Sequence, residues 1–143
     1  MQNINIGKVL VRCKVDGKYL ILRARMSPER PYRSQKPDLP GGMVENGETI
    51  YEAAIREAQE EAGIAIDEDS LLPAYTYSFF RPDKLDYGCW MLFLVELEQK
   101  PEIKLSWEHE AYMWLNAEEV LALEIRDPYP EVFKFLQKSG QLI

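Results

Sequence analysis

At 143 residues, 46% of them hydrophobic, the chain is one domain's worth of sequence and can bury a real core. A formal net charge of −7 argues against a nucleic-acid surface as its main business, so an anionic ligand would need a metal or a local basic patch. No run approaches the roughly 20 apolar residues of a membrane-spanning helix. The first residues lack a basic start followed by an apolar run. Cys13 and Cys89 each fall in a strand-like run and read as buried free thiols. Together these suit the cytoplasm.

From the N-terminus, apolar and polar residues alternate on both sides of Asp16-Gly17, a strong short signal for a hairpin turn. The pattern predicts two antiparallel strands, Val9–Val15 and Lys18–Arg25. On the second, Arg23 and Arg25 share one face, either simply solvated or placed to grip a phosphate. The stretch from Met26 to Leu39 reads as a loop, rich in Pro, Ser and Arg. Its Arg30, Arg33 and Lys36 either solubilise it or form an arm that neutralises an anionic substrate.

A glycine-punctuated loop, Gly41–Gly47, then turns into a helix at about Thr49. Thr49 with Glu52 three residues on has the form of a capping box, and Gly63 supplies the stop. On a helical wheel Tyr51, Ala54, Ile55, Ala58 and Ala62 share an arc that can bury against a sheet. Glu57, Glu60 and Glu61 fall together on another face. Like charges at that spacing cost a few tenths of a kcal/mol per pair, so helix stability does not ask for them. Converging carboxylates are what a hard divalent cation binds.

Beyond a polar connection at Asp67–Leu72, Ala74–Phe80 alternates as a strand with Tyr75, Tyr77 and Phe79 on one side. Arg81–Gly88 reads as a polar turn and Cys89–Glu98 as a strongly apolar, central strand. The aromatics, Trp90 among them, either belong to the core or stack on a base. Met113–Leu115 reads as a short strand, Asn116 as an N-cap for a helix over Ala117–Ala122, and Glu131–Lys138 as a second helix with Val132, Phe133, Phe135 and Leu136 mostly inward. Strands and helices interleave, which suits an α/β protein with a mixed sheet between helices.

Gly42, five residues, Glu48, seven residues and then Arg56-Glu57-Ala58-Gln59-Glu60-Glu61-Ala62-Gly63-Ile64 resembles the Nudix box of the Nudix hydrolase family. Ala58 departs from the larger aliphatic usual there, and Asp38 from the aromatic usual ahead of the box. The resemblance covers essentially the whole chain as one domain, 1–143, and implies the Nudix fold, an α/β/α sandwich. It implies a diphosphatase (pyrophosphatase) that uses water, with Mg2+ or Mn2+ as its substitute, to cleave a nucleoside diphosphate linked to another moiety. The substrate classes left open are nucleoside triphosphates, nucleotide sugars, ADP-ribose and dinucleoside polyphosphates.

Carried over by position, Glu60 and Glu61 resemble the principal metal ligands, the Gly41 carbonyl a backbone ligand, and Glu57 a ligand or base. Arg56 resembles the residue that orients a box carboxylate, Glu48 a supporting carboxylate, and Gly42 and Gly63 the glycines its turns need. Glu108 matches best the further acid that such proteins carry, as metal ligand or base, with His109 and Glu110 as rivals. Arg23, Arg25, Arg30 and Arg33 are candidate substrate contacts, and a homodimer is compatible with the family. The competing readings are a regulatory module that binds a nucleotide ligand without catalysis, an isoprenoid diphosphate isomerase and an RNA-decapping enzyme. The intact charged positions favour the hydrolase over the first, the cysteine placement disfavours the second, and the acidic balance disfavours the third.

Overall fold

The computed structural model describes residues 1–143. The elements run β1 (Gln2–Cys13), β2 (Tyr19–Ala24), β3 (Pro37–Asp38), β4 (Gly41–Met43), α1 (Ile50–Ala62), β5 (Leu72–Arg81), β6 (Asp86–Leu97), β7 (His109–Leu115), α2 (Ala117–Leu121) and α3 (Tyr129–Lys138), with one 3₁₀ turn at Glu68–Ser70. No helix is long and apolar enough to cross a membrane.

The two most apolar stretches of sequence become neighbours. β1 and β6 pair in parallel, from Gln2 opposite Asp86 to Cys13 opposite Leu97. Strands covered on both faces read as continuous apolar runs, and Val9, Leu10, Val11, Leu92, Phe93 and Val95 are all buried. Every other pairing is antiparallel, so the sheet is mixed, in the order β3-β2-β1-β6-β5 with β4 on β1 and β7 on β2.

Each face of the sheet carries its own apolar layer. Val9, Val11, Leu20, Leu22 and Phe93 pack against Ala54, Ala58 and Ala62 of α1. Leu10, Ile21, Trp90 and Leu92 pack against Val120, Tyr129, Val132, Phe133 and Leu136 from α2 and α3. This is the expected α/β/α sandwich.

The hairpin at Asp16-Gly17 forms, with Gly17 at a φ of +71° that suits glycine. Its strands stay paired only at Arg12 opposite Tyr19, however. β2 then leaves β1 to pair with β7 along Tyr19–Ala24. The vacated edge of β1 at Ile6–Lys8 is taken by β4, with Gly42 opposite Gly7. That divergence is what carries the glycine loop to the middle of the sheet.

Several boundaries differ from the pattern in the sequence. β1 begins at Gln2 because pairing with β6, a long-range event, holds its polar start. The Arg81–Gly88 turn shrinks, since Gly88 is part of β6 and lies so close to the Ile4 carbonyl that a Cβ would collide with it. β7 extends back to His109, whose polar ring hides the strand alternation. Pro130 sits in the first turn of α3, where its missing N–H costs nothing. Phe135 faces outward against the edge of Tyr75, ring centres 5.2 Å apart, while Trp90 is buried in the core. Both cysteines are free.

Candidate active site

The loop at the head of α1 is shaped by glycines with specific reasons to be there. Gly41 has a φ of +139°, and a Cβ on it would run into the Gly7 carbonyl and lie 2.6 Å from Lys8 Cα. A Cβ on Gly42 would lie 2.8 Å from Glu57 Oε1, so the absent side chain leaves room for that carboxylate. The helix is fixed at both ends. Thr49 Oγ1 accepts from Glu52 N at 3.1 Å, Glu52 Oε1 accepts from Thr49 N at 2.9 Å, and Gly63 caps the C-terminus at φ +70°.

Arg56 resolves the repulsion among the three glutamates. Its Nε and Nη2 donate to the two oxygens of Glu48 at 3.1 and 2.8 Å, and Nη1 donates to Glu57 Oε1 at 2.9 Å and Glu60 Oε2 at 3.3 Å. Nη2 also donates to the Met43 carbonyl at 3.1 Å, so the planar fork is used in full. Hydrogen bonds donated to Glu48, against a desolvation penalty, and then to Glu57 hold this guanidinium firmly charged, with its pKa raised. The Arg56 bond in turn pulls the Glu48 carboxyl below its usual value. Glu57 is thereby aimed at Gly42, Glu60 stays at the exposed end of the fork, and Glu61 turns inward.

Glu61 is buried, with Oε2 3.4 Å from the Gly41 amide that donates to it. Desolvation pushes its carboxyl up to about 9, Lys8 opposes this, and neighbouring Glu57 and Asp38 add to it. Two close carboxylates short of positive charge, beside the Gly41 carbonyl, form an all-oxygen donor set that suits a hard divalent cation. Glu57, Glu61 and the Gly41 carbonyl would hold such an ion. No three His, Cys, Asp or Glu side chains converge as a ready-made cage.

These groups line a cleft of about 430 Å³ together with Arg30, Arg33, Arg126 and Tyr32. Its floor is a buried ion cluster built around Asp38. Lys8 Nζ donates to Asp38 Oδ1 at 3.4 Å, the Leu39 carbonyl at 3.2 Å and the Gly41 carbonyl at 3.1 Å. Arg126 Nη2 and the Tyr129 hydroxyl donate to the same Oδ1 at 3.2 and 3.3 Å, and Arg33 Nη2 lies 3.9 Å from Oδ2. Burial alone would raise the Asp38 carboxyl, but Lys8, His109, Arg126 and the Leu39 amide outweigh it and hold it well below the usual range. Lys8, Arg33 and Arg126 thus set three cations around one carboxylate.

Glu108 lies on the rim, its Oε2 3.9 Å from Arg33 Nη2. His109 is buried behind the floor, with Nε2 3.5 Å from Asp38 Oδ2 and neither ring nitrogen in a hydrogen bond. Glu110 is exposed and does not line the cleft, nor do Arg23 or Arg25. Arg25 instead donates from Nε to the Trp107 carbonyl at 2.7 Å. Lys8, Asp38 and Arg126 escape the reading of the sequence as site residues. A lysine inside the apolar run Gly7–Val11 is the one local hint; Arg126 has none, because its partner lies 88 positions away.

A family model described as the NUDIX domain matches residues 5–136. The asymmetrical bis(5'-nucleosyl)-tetraphosphatase of Sus scrofa is 34% identical over 111 residues, which cover 73% of this chain and 69% of that protein. Phosphatase NudJ of Escherichia coli K12 is 32% identical over 137 residues, or 93% of this chain and 84% of that one. The solved MutT protein of Methanosarcina mazei Go1 matches 97% of this chain and 96% of its own with a TM-score of 0.80 at 26% identity. The chain belongs to the NUDIX family, as a hydrolase of the diphosphatase type.

Proposed function

We infer that this chain is a Mg2+-dependent diphosphatase, with Mn2+ as a substitute, that cleaves a diphosphate linkage in a nucleotide-type substrate by attack of water at phosphorus. NUDIX enzymes generally use a divalent metal. The observation that carries the reading is the meeting of both charges in one cleft, lined by Glu57 and Glu61 together with Arg30, Arg33 and Arg126. A diphosphate fits neither set alone, because the carboxylates repel it and the arginines bind it without activating water.

A divalent cation at these carboxylates would supply Lewis-acid polarisation of a phosphoryl oxygen and a lower pKa for water. Glu57, fixed by Arg56, and Glu61, fixed under Gly41, would hold that ion, with Glu60 at the outer end of the Arg56 fork and Glu108 in the cleft lining as further carboxylates. Arg30, Arg33 and Arg126 orient the phosphates and offset the charge that develops on the leaving oxygen. For the proton acceptor, Glu57 and Glu108 line the cleft, while the burial of His109 and the outward position of Glu110 weigh against those two. Glu48 and Gly63 act through the placement of α1.

The substrate is a small-molecule nucleotide. The pig relative's name puts dinucleoside polyphosphates first on a panel that also holds nucleoside triphosphates, ADP-ribose and nucleotide sugars. The two phosphorylated products are separated and quantified across the panel with Mg2+, with Mn2+ and with EDTA. Metal-dependent cleavage of one class is the expected result. A folded, metal-binding protein that cleaves nothing on the panel would overturn it in favour of a nucleotide-binding regulatory module.

A further inference from the structure

The cleft does not end at its arginines. A second hollow of about 380 Å³ opens on their far side, and Arg30, Arg33 and Glu108 line both spaces. Each hollow falls in the size range of small-molecule sites. The outer one is walled by Met26, Pro28 and Trp107, with polar groups from Ser27 and Glu29.

Trp107 is the feature that needs a partner. The residue is 78% exposed, whereas Trp90, one of the aromatics with a claim to stack on a base, is 4% exposed and spent in the core. An indole is costly to leave in water, and this one lines a cavity. The backbone that carries it is held by Arg25. Arg25 donates from Nε to the Trp107 carbonyl at 2.7 Å and from its amide to the Glu108 carbonyl at 2.8 Å. The facing loop is clasped by Ser34, whose Oγ accepts from Ser27 N at 2.7 Å and donates to the Ser27 carbonyl at 2.9 Å.

We propose that this outer hollow is a nucleobase subsite, in which the Trp107 indole stacks on the base of a nucleotide whose phosphates lie on Arg30 and Arg33. The shared arginines make it continuous with the cleft, so one ligand fills both, base outside and phosphates within. Met26 and Pro28 supply apolar cover on the other side of the ring. Stacking accepts any base, because every base has a π-face. The inference uses the diphosphatase reading for where the phosphates go and does not depend on their hydrolysis.

The test is a titration of tryptophan fluorescence with each of the four common nucleoside triphosphates and with tripolyphosphate, which has the phosphates and no base. The expected result is quenching by the nucleotides and none by tripolyphosphate. Affinities are measured in parallel by titration calorimetry, which needs no indole at position 107: Trp107→Ala lowers nucleotide affinity by about tenfold or more, in line with measured base–aromatic stacking. Its tripolyphosphate affinity stays at the wild-type value, and Trp107→Phe recovers most of the nucleotide affinity. Nucleotide binding by Trp107→Ala as tight as wild type, or no quench with any of the four, overturns the subsite. Hydrolysis is followed on the same preparations. Its absence with the quench intact counts against the diphosphatase reading alone, and its presence with an indifferent Trp107→Ala counts against the subsite alone.

Discussion

Glu61 stands between opposing forces, and their balance has a sign that can be measured. Burial raises its carboxyl from an ordinary 4.5 to about 9, with Lys8 opposing and Glu57 adding to the rise. A carboxyl that keeps its proton longer when folded than when unfolded makes the native state the greater proton binder. Metal-free stability therefore falls as pH rises from about 4.5 to about 9. Thermal melts in EDTA across that window are expected to show Tm declining for the wild type and a flatter profile for Glu61→Gln. A saturating divalent cation removes the decline, since it takes the proton's place at the carboxylate. The same variant should keep its fold and lose orders of magnitude in turnover. Unchanged turnover would remove Glu61 from the site. Much at this scale was legible in the sequence, because Glu57, Glu60, Glu61 and Arg56 lie within two turns of one helix. The split among them was not legible: the wheel groups the three glutamates, whereas Glu57 and Glu60 share the Arg56 fork and Glu61 turns inward to the Gly41 amide.

At the scale of elements, β4 and α1 work as one device, and its two glycines fail differently when filled. On Gly42 a Cβ meets only the carboxyl end of the Glu57 side chain and no backbone. Gly42→Ala should leave stability within about 1 kcal/mol of the wild type, the range of an ordinary substitution, while displacing Glu57 lowers turnover at least tenfold. A Cβ on Gly41 meets the backbone of β1 at a φ of +139° that a side chain resists, so Gly41→Ala should destabilise by several kcal/mol. Chemical denaturation and steady-state kinetics on the pair separate the two roles. Equal behaviour of both variants in both assays would refute the distinction. The sequence announced the capped helix and the hairpin turn, since caps and turns are local chemistry. It did not announce β3 and β4, two and three residues long, which exist only because β2 departs from β1 and frees an edge. The base-stacking role considered for Trp90 likewise depends on burial, which period-two alternation alone does not decide.

Across the whole molecule, Asp38 is where separate parts of the chain are tied. Lys8 reaches it from β1, His109 lies beside it from β7, and Arg126 and Tyr129 come from the segment that leads into α3. With a carboxyl held below its unfolded value of 3.8, Asp38 contributes stability above that pH and loses it only as acid titrates the folded form. Asp38→Asn keeps the volume and strips that countercharge from Lys8, which is buried, and Arg126, which is half-buried. The expected cost is about 3–5 kcal/mol at neutral pH, read by chemical denaturation. A loss under about 1 kcal/mol, the scale of an exposed pair, would mean the cluster is not holding the parts together.

The parallel pairing of β1 with β6 also governs the order in which the molecule can be completed. A chain leaving the ribosome delivers Gln2–Cys13 first, but the strand that covers one whole edge of it is Asp86–Leu97. Until that segment emerges, β1 can use only short contacts with β2 and β4. The most apolar strand of the N-terminal half must wait with an open edge through the synthesis of the glycine loop, the acidic helix and β5. The glycine loop and the acidic helix are therefore made before the strand that holds them in register, and the cleft takes its shape late, when a distant strand closes beside the first.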